Sequence, residues 1–300
     1  MTSDDMNDPI VGMTRNTSCK LPKSPEIPPE YDQDGLRTLH NHDFMRDEKF
    51  CRAYERGCRT GSDDKWHWRV HIGLWAAFSA SKLEGDFVEC GVNRGFMSSA
   101  IMEYLDWNSL NRTFYLLDTF EGPDLRFVSD EDRQCGAILK YEQFWESGYY
   151  IRGVESVKEN FSQWKNVRII KGSVPETLHR VETERVAFLH LDMNCSPPEV
   201  ATLNFFWDRM TPGAIVLLDD YAYIGYESQK HEMDILAREK GVMIAALPTG
   251  QGLLIKPPGS VSQNATQHNR TGEQSNAAGH FNNWIRSLLR FHRILSENSF

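Results

Sequence analysis

The sequence predicts an α/β fold, a doubly wound sheet of seven strands whose last strand is antiparallel to its neighbours. Two observations predict it. Six apolar, β-branched or aromatic runs alternate with helical stretches, which is the pattern of parallel βαβ units. Only residues 248–251 then separate the sixth run from a seventh, too few for a crossover helix. The last two strands must therefore pair antiparallel.

The predicted strands are short apolar runs bounded by turn residues. They are Asp86–Cys90, Thr113–Leu117, Val167–Ile170, Val186–Leu191, Ala214–Leu218, Val242–Leu247 and Gly252–Lys256. Helices are predicted where apolar residues recur at helical spacing or where helix end signals occur, at Trp66–Leu83, Phe96–Asp106, Ser196–Met210 and Gly225–Lys240. In the first of these, His71, Leu74, Trp75 and Phe78 share one face, which predicts a helix packed ahead of the first strand.

The flanking segments differ in composition from this body. Residues 1–35 contain five prolines and no periodicity, and we expect a disordered or extended arm. The predicted catalytic or binding domain covers residues 36–257, with a helical part at 36–84. Residues 258–279 have the composition of a flexible linker, and residues 280–300 have the apolar spacing of an amphipathic helix.

The composition excludes several classes of function. The chain carries 42 Asp and Glu against 33 Lys and Arg, a net charge of -9, which disfavours nucleic acid as a partner. No apolar run approaches the length of a membrane span, so we expect no integral membrane segment. Six scattered cysteines without a CxxC pair and an amino terminus without an apolar signal segment favour a cytoplasmic protein.

Two signals point to a bound nucleoside. Residues 89–95, with Gly91 and Gly95, lie where the first predicted strand of the sheet meets a helix, a place where the backbone can approach an anionic ligand. Asp118 follows the next strand, where a carboxylate can accept hydrogen bonds from ribose hydroxyls. Each signal alone also fits a plain strand-to-helix turn or a helix cap. Together they favour a nucleoside-containing cofactor across these two strands.

A third signal is a group of carboxylates. Asp192 follows the fourth strand, and Asp219 and Asp220 follow the fifth, so all three can meet at the carboxyl edge of the sheet. Carboxylates this close repel one another unless a hard divalent cation binds them. The structural alternatives are a helix cap at Asp219 or Asp220 and an arginine partner for Asp192. A nicotinamide-dependent oxidoreductase has little use for such a group.

Five ordered motifs carry a resemblance to a known family. They are Gly85–Gly95, Leu117–Gly122, Lys171–Leu178, His190–Asp192 and Pro212–Tyr221. The chain resembles the macrocin and mycinamicin O-methyltransferases, which depend on S-adenosylmethionine and a divalent metal. The resemblance implies the Rossmann-like class I methyltransferase fold, whose seven-stranded sheet has an antiparallel last strand.

The resemblance also implies site residues. Those implied to bind the cofactor, ordered from its methionine part through its ribose to its adenine, are Glu89, Gly91 and Gly95, then Asp118, then Gly172 and Ser173, with Asp192 beside them. Those implied to hold Mg²⁺ are Asp192, Asp219 and Asp220. The chain departs from the family at Asn194, where relatives usually carry an acid, and residues 119–178 contain no histidine to act as the base used by sugar-modifying relatives.

The base that would deprotonate an acceptor hydroxyl has four candidates, Tyr149, Tyr150, His190 and His231. Each also fits a purely structural role. The segment Pro123–Tyr150 is rich in aromatic residues and predicts either a lid over the site or a helix packed on the core.

We therefore expect an O-methyltransferase, dependent on S-adenosylmethionine and Mg²⁺, that acts on a hydroxyl of a sugar or glycosylated small molecule. One alternative is a methyltransferase-fold protein that binds the cofactor without turnover, which Asn194 motivates. A nucleotide-cofactor oxidoreductase is a further alternative. The terminal helices could also serve a homo-oligomer.

Overall fold

The computed structural model describes residues 31–258, so most of the predicted arm, nearly all of the predicted linker and the predicted helix 280–300 lie outside the described residues. The strands are β1 Tyr31–Gln33, β2 Leu36–Thr38, β3 Asp86–Cys90, β4 Phe114–Asp118, β5 Val167–Lys171, β6 Val186–Leu191, β7 Met210–Leu218, β8 Ala245–Ala246 and β9 Gly252–Ile255. The α-helices are α1 Glu48–Cys58, α2 His67–Ala80, α3 Phe96–Tyr104, α4 Asp130–Gln134, α5 Ala137–Glu146, α6 Glu155–Phe161, α7 Ser196–Phe206 and α8 Glu227–Glu239.

The central sheet has seven strands in the order β5-β4-β3-β6-β7-β9-β8. The first five of these strands pair in parallel. Strand β9 lies antiparallel to both β7 and β8. This arrangement confirms the predicted doubly wound sheet with an antiparallel last strand, the class I methyltransferase architecture.

The core lies on both faces of this sheet because successive side chains of a strand point to opposite faces. On one face, Phe87 and Phe188 join a buried cluster with residues of α1, α2 and α3. On the other face, Val88 and Leu189 join a second cluster with residues of α7 and α8. Strands covered on both faces explain the nearly continuous apolar runs in the sequence.

Helix α2 packs through a different face from the predicted one. Trp75 and Phe78, which the spacing assigned to the packed face, are 47% and 43% exposed. The buried positions include Arg69, Val70, Gly73, Leu74, Ala76, Ala77 and Ala80. The small residues allow α2 to approach its neighbours closely, since a Cβ on Gly73 would lie only 2.5 Å from the Met97 sulfur.

Two predicted boundaries differ near the end of the sheet. Helix α7 ends at Phe206 instead of the predicted Met210. Strand β7 begins at Met210, which pairs with Val186, four residues before the predicted start at Ala214. Strand β8 contains only Ala245–Ala246, because Val242 belongs to the end of α8 and not to the strand. The Val242 N–H donates to the Ala237 carbonyl at 2.9 Å, and Gly241 has a positive φ of 69°. This is a Schellman-type helix ending.

Residues 31–35 do not belong to the predicted arm. Strands β1 and β2 form an antiparallel hairpin whose turn residues, Asp34 and Gly35, both have positive φ, as a two-residue hairpin turn requires. The Tyr31 hydroxyl anchors the hairpin by donating to the Lys65 carbonyl at 2.9 Å. The Asp-Gly pair is the sequence signal for this turn.

Within residues 31–258, none of the helices combines the length and apolar character that crossing a bilayer requires.

We predict that Phe188→Ala lowers the free energy of unfolding by about 3–5 kcal/mol, because it empties a site at the centre of the core. The Phe188 ring is fully buried, with its centroid 5.1 Å from that of Phe87. Urea unfolding measures the change. Phe78→Ala, on the exposed face of α2, is the matched control and should cost under about 1 kcal/mol. Equal losses in the two variants would contradict this account of the core.

Candidate functional site

Two adjoining pockets lie at the carboxyl ends of β3, β4, β6 and β7. We call the first the β4 pocket; its lining includes Asp118, Asp124, Phe127, Tyr150, Gly172, Ser173 and Val174. We call the second the β7 pocket; its lining includes Asp34, Trp66, Arg69, Glu89, His190, Asp219, Asp220 and Tyr226. The residues that line both pockets are Gly91, Asn93, Tyr149, Asp192 and Asn194.

The turn after β3 requires glycines because other parts of the chain pack closely against its backbone. Gly91 has a φ of 89°, and a Cβ there would lie 1.8 Å from the Asp192 carbonyl oxygen. Gly95 has a φ of 86° and precedes α3, and a Cβ there would lie 2.5 Å from the Phe161 ring. The turn thus brings β3 and β6 together where the pockets meet.

Asp118 joins the loops that follow β3 and β4. Its Oδ2 accepts the backbone N–H groups of Val92 at 2.7 Å and Asn93 at 2.8 Å. Its Oδ1 accepts the N–H of Phe120 at 2.6 Å. Asp118 therefore organises the floor of the β4 pocket as well as lining it.

Gly172 and Ser173 also line the β4 pocket, beside an acid, Asp124, that the sequence reasoning missed. The Ser173 hydroxyl donates to Asp124. Burial would raise the pKa of Asp124, but hydrogen bonds from Arg126 and Ser173 lower it to about 2. The signal available in the sequence was its position directly after the Gly122-Pro123 turn.

Glu89 and His190 occupy paired positions on β3 and β6. His190 Nδ1 lies 2.9 Å from Glu89 Oε1, and both side chains are almost fully buried. Burial alone would lower the pKa of His190, but its contacts with Asp219 and Glu89 raise it to about 10. The two acids thus favour the protonated imidazolium, whose Nε2 lies 3.6 Å from Asp219 Oδ1 and has no hydrogen-bond partner in the described chain. Glu89 Oε2, also buried, has no hydrogen-bond partner in the described chain.

The three predicted metal ligands come together. One carboxylate oxygen from each of Asp192, Asp219 and Asp220 lies within 4.8 Å of the others. Burial, with the charges of Asp219 and Asp220, raises the pKa of Asp192 well above its usual range. Burial and the neighbouring Asp219 raise the pKa of Asp220 to about 6. These shifts have the direction expected of carboxylates that need more positive charge nearby.

Arg69 is the charged residue of this site that the sequence reasoning missed. Its Nη1 contacts the Asp219 carboxylate and lies 3.4 Å from Asp220 Oδ1. Burial would raise the pKa of Asp219, but Arg69 and His190 hold it below its usual range. The sequence placed an arginine on α2 without indicating that this face of the helix is buried.

The other predicted bases do not all lie at the site. Tyr149 lines both pockets, and burial and the charge of Asp192 raise its pKa well above the usual range, so it stays a neutral phenol. The Tyr150 hydroxyl is buried beside the β4 pocket and has no hydrogen-bond partner in the described chain. His231 is exposed on α8 and lines neither pocket. The structure therefore does not bring His231 to the site.

Asn194 lies at the junction of the pockets, and both ends of its side-chain amide make a hydrogen bond. Its Oδ1 accepts the Tyr226 hydroxyl at 2.6 Å, and its Nδ2 donates to Asp192 Oδ1 at 3.3 Å. Its backbone carbonyl accepts the hydroxyl of Tyr141 on α5. An amide cannot take up a proton at neutral pH, so Asn194 orients its neighbours.

The aromatic segment 123–150 contributes both to the pocket walls and to the core. Phe127 lines the β4 pocket and Phe144 the β7 pocket. Tyr141 instead packs inward and is the buried residue of α5. The segment therefore both walls the pockets and packs on the core.

The sequence profile of the macrocin O-methyltransferase (TylF) family matches residues 74–235, more than half of the chain. The chain belongs to this family. The match confirms the family that the five motifs resemble, and it covers the turn after β3, Asp118 and the carboxylates of Asp192, Asp219 and Asp220.

Two curated relatives that the chain matches are named as methyltransferases. Mycinamicin III 3''-O-methyltransferase of Micromonospora griseorubida is 26% identical over 155 residues, 49% of this chain and 59% of that protein. The 8-demethyl-8-(2,3-dimethoxy-alpha-L-rhamnosyl)-tetracenomycin-C 4'-O-methyltransferase of Streptomyces olivaceus is 27% identical over 161 residues, 51% of this chain and 59% of that protein. The matched region thus spans less than two thirds of either relative.

Among solved structures, the O-methyltransferase NovP matches with a TM-score of 0.53 and 19% identity, over 63% of this chain and 80% of that chain. This likeness shows a shared fold, in agreement with the strand order of the sheet.

We predict that Gly91→Ala destabilises the protein by at least about 2 kcal/mol more than Gly136→Ala, because overpacking against the Asp192 carbonyl adds to backbone strain. Gly136 is a matched control, since it has a similar φ of 84° and nothing lies within 4 Å of its virtual Cβ. Urea unfolding of both variants measures the difference. Equal losses would show that strain alone accounts for the glycine at 91.

The buried Glu199 of α7 should make the stability of the protein depend on pH. Burial raises its pKa to about 8, although hydrogen bonds from the Met193 N–H and Gln229 oppose the rise. The folded protein therefore keeps a proton that the unfolded chain loses near about pH 4.3. Stability must then fall as pH rises from about 5 to about 8, because the folded state binds more protons there.

We predict that Glu199→Gln flattens this decline, so that the variant equals or exceeds the wild type in stability at about pH 8 and gains little at about pH 5. Glutamine keeps a neutral acceptor for the Met193 N–H. Urea unfolding across this pH range is the measurement, and Glu232→Gln on the exposed side of α8 is the control. A parallel pH profile for the wild type and Glu199→Gln would contradict the assignment.

Proposed function

We propose that the protein is an O-methyltransferase, dependent on S-adenosylmethionine and Mg²⁺, that modifies a hydroxyl of a sugar or glycosylated small molecule. The observation that carries the proposal is the meeting of the two pockets at Asp192, beside the carboxylates of Asp219 and Asp220. One pocket would hold the cofactor and the other the acceptor, with the methyl group crossing at their junction.

The β4 pocket has the donors, acceptors and apolar walls that S-adenosylmethionine needs. Asp118 accepts three backbone N–H groups, and the Thr119 hydroxyl lies 3.3 Å from its Oδ1. A ribose hydroxyl would take the place of that long contact, since a carboxylate offers about four acceptor sites. Gly172 and Ser173, with the apolar Val174 and Phe127, would surround the adenine.

The methionine end would lie along Gly91 toward the junction of the pockets. Glu89 Oε2 is an unpartnered buried acceptor there, suited to an ammonium group. Gly95, also implied to border the methionine part, precedes α3 but lines neither pocket and packs against the Phe161 ring, so it would act by shaping the turn. The unpartnered hydroxyl of Tyr150 is a further polar group that a bound cofactor would satisfy.

The carboxylate group fits a hard divalent cation. Asp192, Asp219 and Asp220 offer the oxygen ligands that Mg²⁺ prefers, at the separations of a shared site. When bound, Mg²⁺ would chelate adjacent hydroxyls and lower the pKa of one of them. The elevated pKa values of Asp192 and Asp220 support a need for that charge.

The protein residues would then act mainly by orientation. In the reaction the bond from the methyl carbon to sulfur breaks, a bond from that carbon to the acceptor oxygen forms, and the hydroxyl proton leaves to solvent. Holding the two reactants in line accounts for much of the rate. Tyr149, a neutral phenol, and His190, an imidazolium, would donate hydrogen bonds instead of accepting the proton.

The β7 pocket supports a sugar-like acceptor. Its lining combines hydrogen-bonding side chains with the aromatic rings of Trp66, Phe144 and Tyr226, a mixture suited to the polar edges and apolar faces of a sugar. The names of both curated relatives denote methylation of natural products, and one name specifies a rhamnosyl group. The named O-methyltransferases also argue against the oxidoreductase alternative.

Location and assembly are parts of the same proposal. Free cysteines in residues 31–258 support a reducing, cytoplasmic setting; they are Cys51, Cys58, Cys90, Cys135 and Cys195. A homo-oligomer formed through terminal helices stays a prediction.

A second candidate is a methyltransferase-fold protein that binds the cofactor without turnover. The observation that favours it is Asn194, an amide at the junction where relatives usually carry an acid. The two candidates differ in turnover and agree in cofactor binding.

We predict that S-adenosylhomocysteine binds the protein and that Asp220→Asn lowers Mg²⁺-stimulated methyl transfer at least about 100-fold while cofactor binding persists, because only the metal ligand is lost. Calorimetry measures binding, and transfer of labelled methyl to a panel of glycosides measures turnover. The control is Asp208→Asn at an exposed turn.

Each result separates the candidates. Failure to bind S-adenosylhomocysteine would overturn both. Binding without methyl transfer to any glycoside would favour the non-catalytic candidate. Methyl transfer that resists chelators and Asp220→Asn would overturn the role of the metal.

A further inference from the structure

A guanidinium group lies inside the proposed metal site. The Arg69 side chain is 8% exposed, and its Nη1 contacts the Asp219 carboxylate, the Asp219 carbonyl at 3.1 Å and Asp220 Oδ1 at 3.4 Å. These carboxylates are two of the three proposed metal ligands. A divalent cation and the arginine therefore compete for the same two carboxylates.

Arg69 also has a second anchor, on the side away from β7. Its Nε donates to Asp34 Oδ2 at 3.2 Å, and the Asp34 side chain is only 10% exposed. Asp34 is held there by the turn between β1 and β2, where it takes a φ of 52°. The ring of Tyr223 lies 5.2 Å from the guanidinium carbon and offers the cation its face.

Two donors already hold the Asp219 carboxylate in this arrangement. Arg69 contacts its Oδ2, and the Gln251 amide donates to its Oδ1 at 3.1 Å. His190 Nε2 lies 3.6 Å from the same Oδ1. A cation that binds Asp219 and Asp220 would lie close to the Arg69 guanidinium, and like charges at this distance repel strongly in a buried site.

We propose that Arg69 is an internal counter-cation that exchanges with the divalent metal: it holds Asp219 and Asp220 together when the metal is absent, and it moves onto Asp34 when the metal binds. The inference rests on the proposed metal site and goes beyond it. It makes Arg69 and Asp34 positioning residues that set the affinity for the metal, although neither would ligate it.

The cost of burying unpaired charges favours this exchange. Three carboxylates without a counter-charge would destabilise the metal-free fold, and breaking a buried ion pair leaves its partner uncompensated. Because the Asp34 carboxylate stays beside Arg69 after the metal binds, the guanidinium is not left as an unpaired buried charge. The β1–β2 hairpin thus belongs to the charge balance of the site.

The test is a double-mutant cycle read by Mn²⁺ binding to the full-length chain, followed by electron paramagnetic resonance without cofactor or acceptor. Arg69→Met should bind Mn²⁺ about tenfold more tightly, because the competing charge is gone. Asp34→Asn should bind it about tenfold more weakly, because Arg69 loses its alternative partner. In the Arg69→Met background, Asp34→Asn should have little further effect, since the two residues act through one exchange.

Controls separate this effect from a general loss of structure. Arg112→Met removes another half-buried arginine, which donates to the carbonyls of Ser81 and Leu83. That variant should lose stability without changing Mn²⁺ affinity. Thermal unfolding should show that Mn²⁺ raises the melting temperature of Arg69→Met more than that of the wild type.

The outcomes distinguish this inference from the proposed function. If Asp34→Asn weakens Mn²⁺ binding equally in both backgrounds, Arg69 is a static charge and the exchange is overturned, while the metal site stands. The same holds if Arg69→Met remains folded and binds no more tightly than the wild type. If Arg69→Met binds Mn²⁺ and the wild type does not, the competition is supported and the metal dependence of the wild type is overturned. If neither binds, both proposals fail.

Discussion

The site depends on neighbouring parallel strands that end at the same edge of the sheet. Beyond the paired residues, Gly91 N–H bonds to the Leu117 carbonyl, Asp192 N–H to that of Cys90 and Asp219 N–H to that of Leu191, each at 2.9 Å. These bonds extend the parallel ladder by one residue and bring polar groups from β3, β6 and β7 to the same edge. The alignment leaves no space for a side chain at position 91.

Sequence reasoning recovered most of this arrangement because it depends on local patterns. Apolar runs located the strands within a few residues, and the polar residue after each run marked the edge where ligands bind. What it missed depends on long-range packing. The periodicity of α2 indicated a face containing Trp75 and Phe78, so Arg69 was not expected to be buried, and Asp34 was assigned to a loose arm although its Asp-Gly turn is a hairpin signal.

Burial also changed the expected chemistry of familiar residue types. A histidine ordinarily titrates near neutral pH, but the acids beside His190 keep it charged, and tyrosines beside the carboxylates stay neutral. The candidate bases thus become hydrogen-bond donors. Such shifts follow from neighbours that are distant in the sequence, as with Glu89 and His190, which pair across adjacent strands.

The charge compensation of the site extends beyond the region that defines the family. The matched residues are 74–235, whereas Arg69 and Asp34 both precede them. A fragment trimmed to the family boundary would retain all three carboxylates and lose the guanidinium beside them. Homology alone would therefore select an expression fragment without the arginine that pairs with Asp219 and Asp220, whereas a fragment that begins at β1 keeps both Arg69 and Asp34.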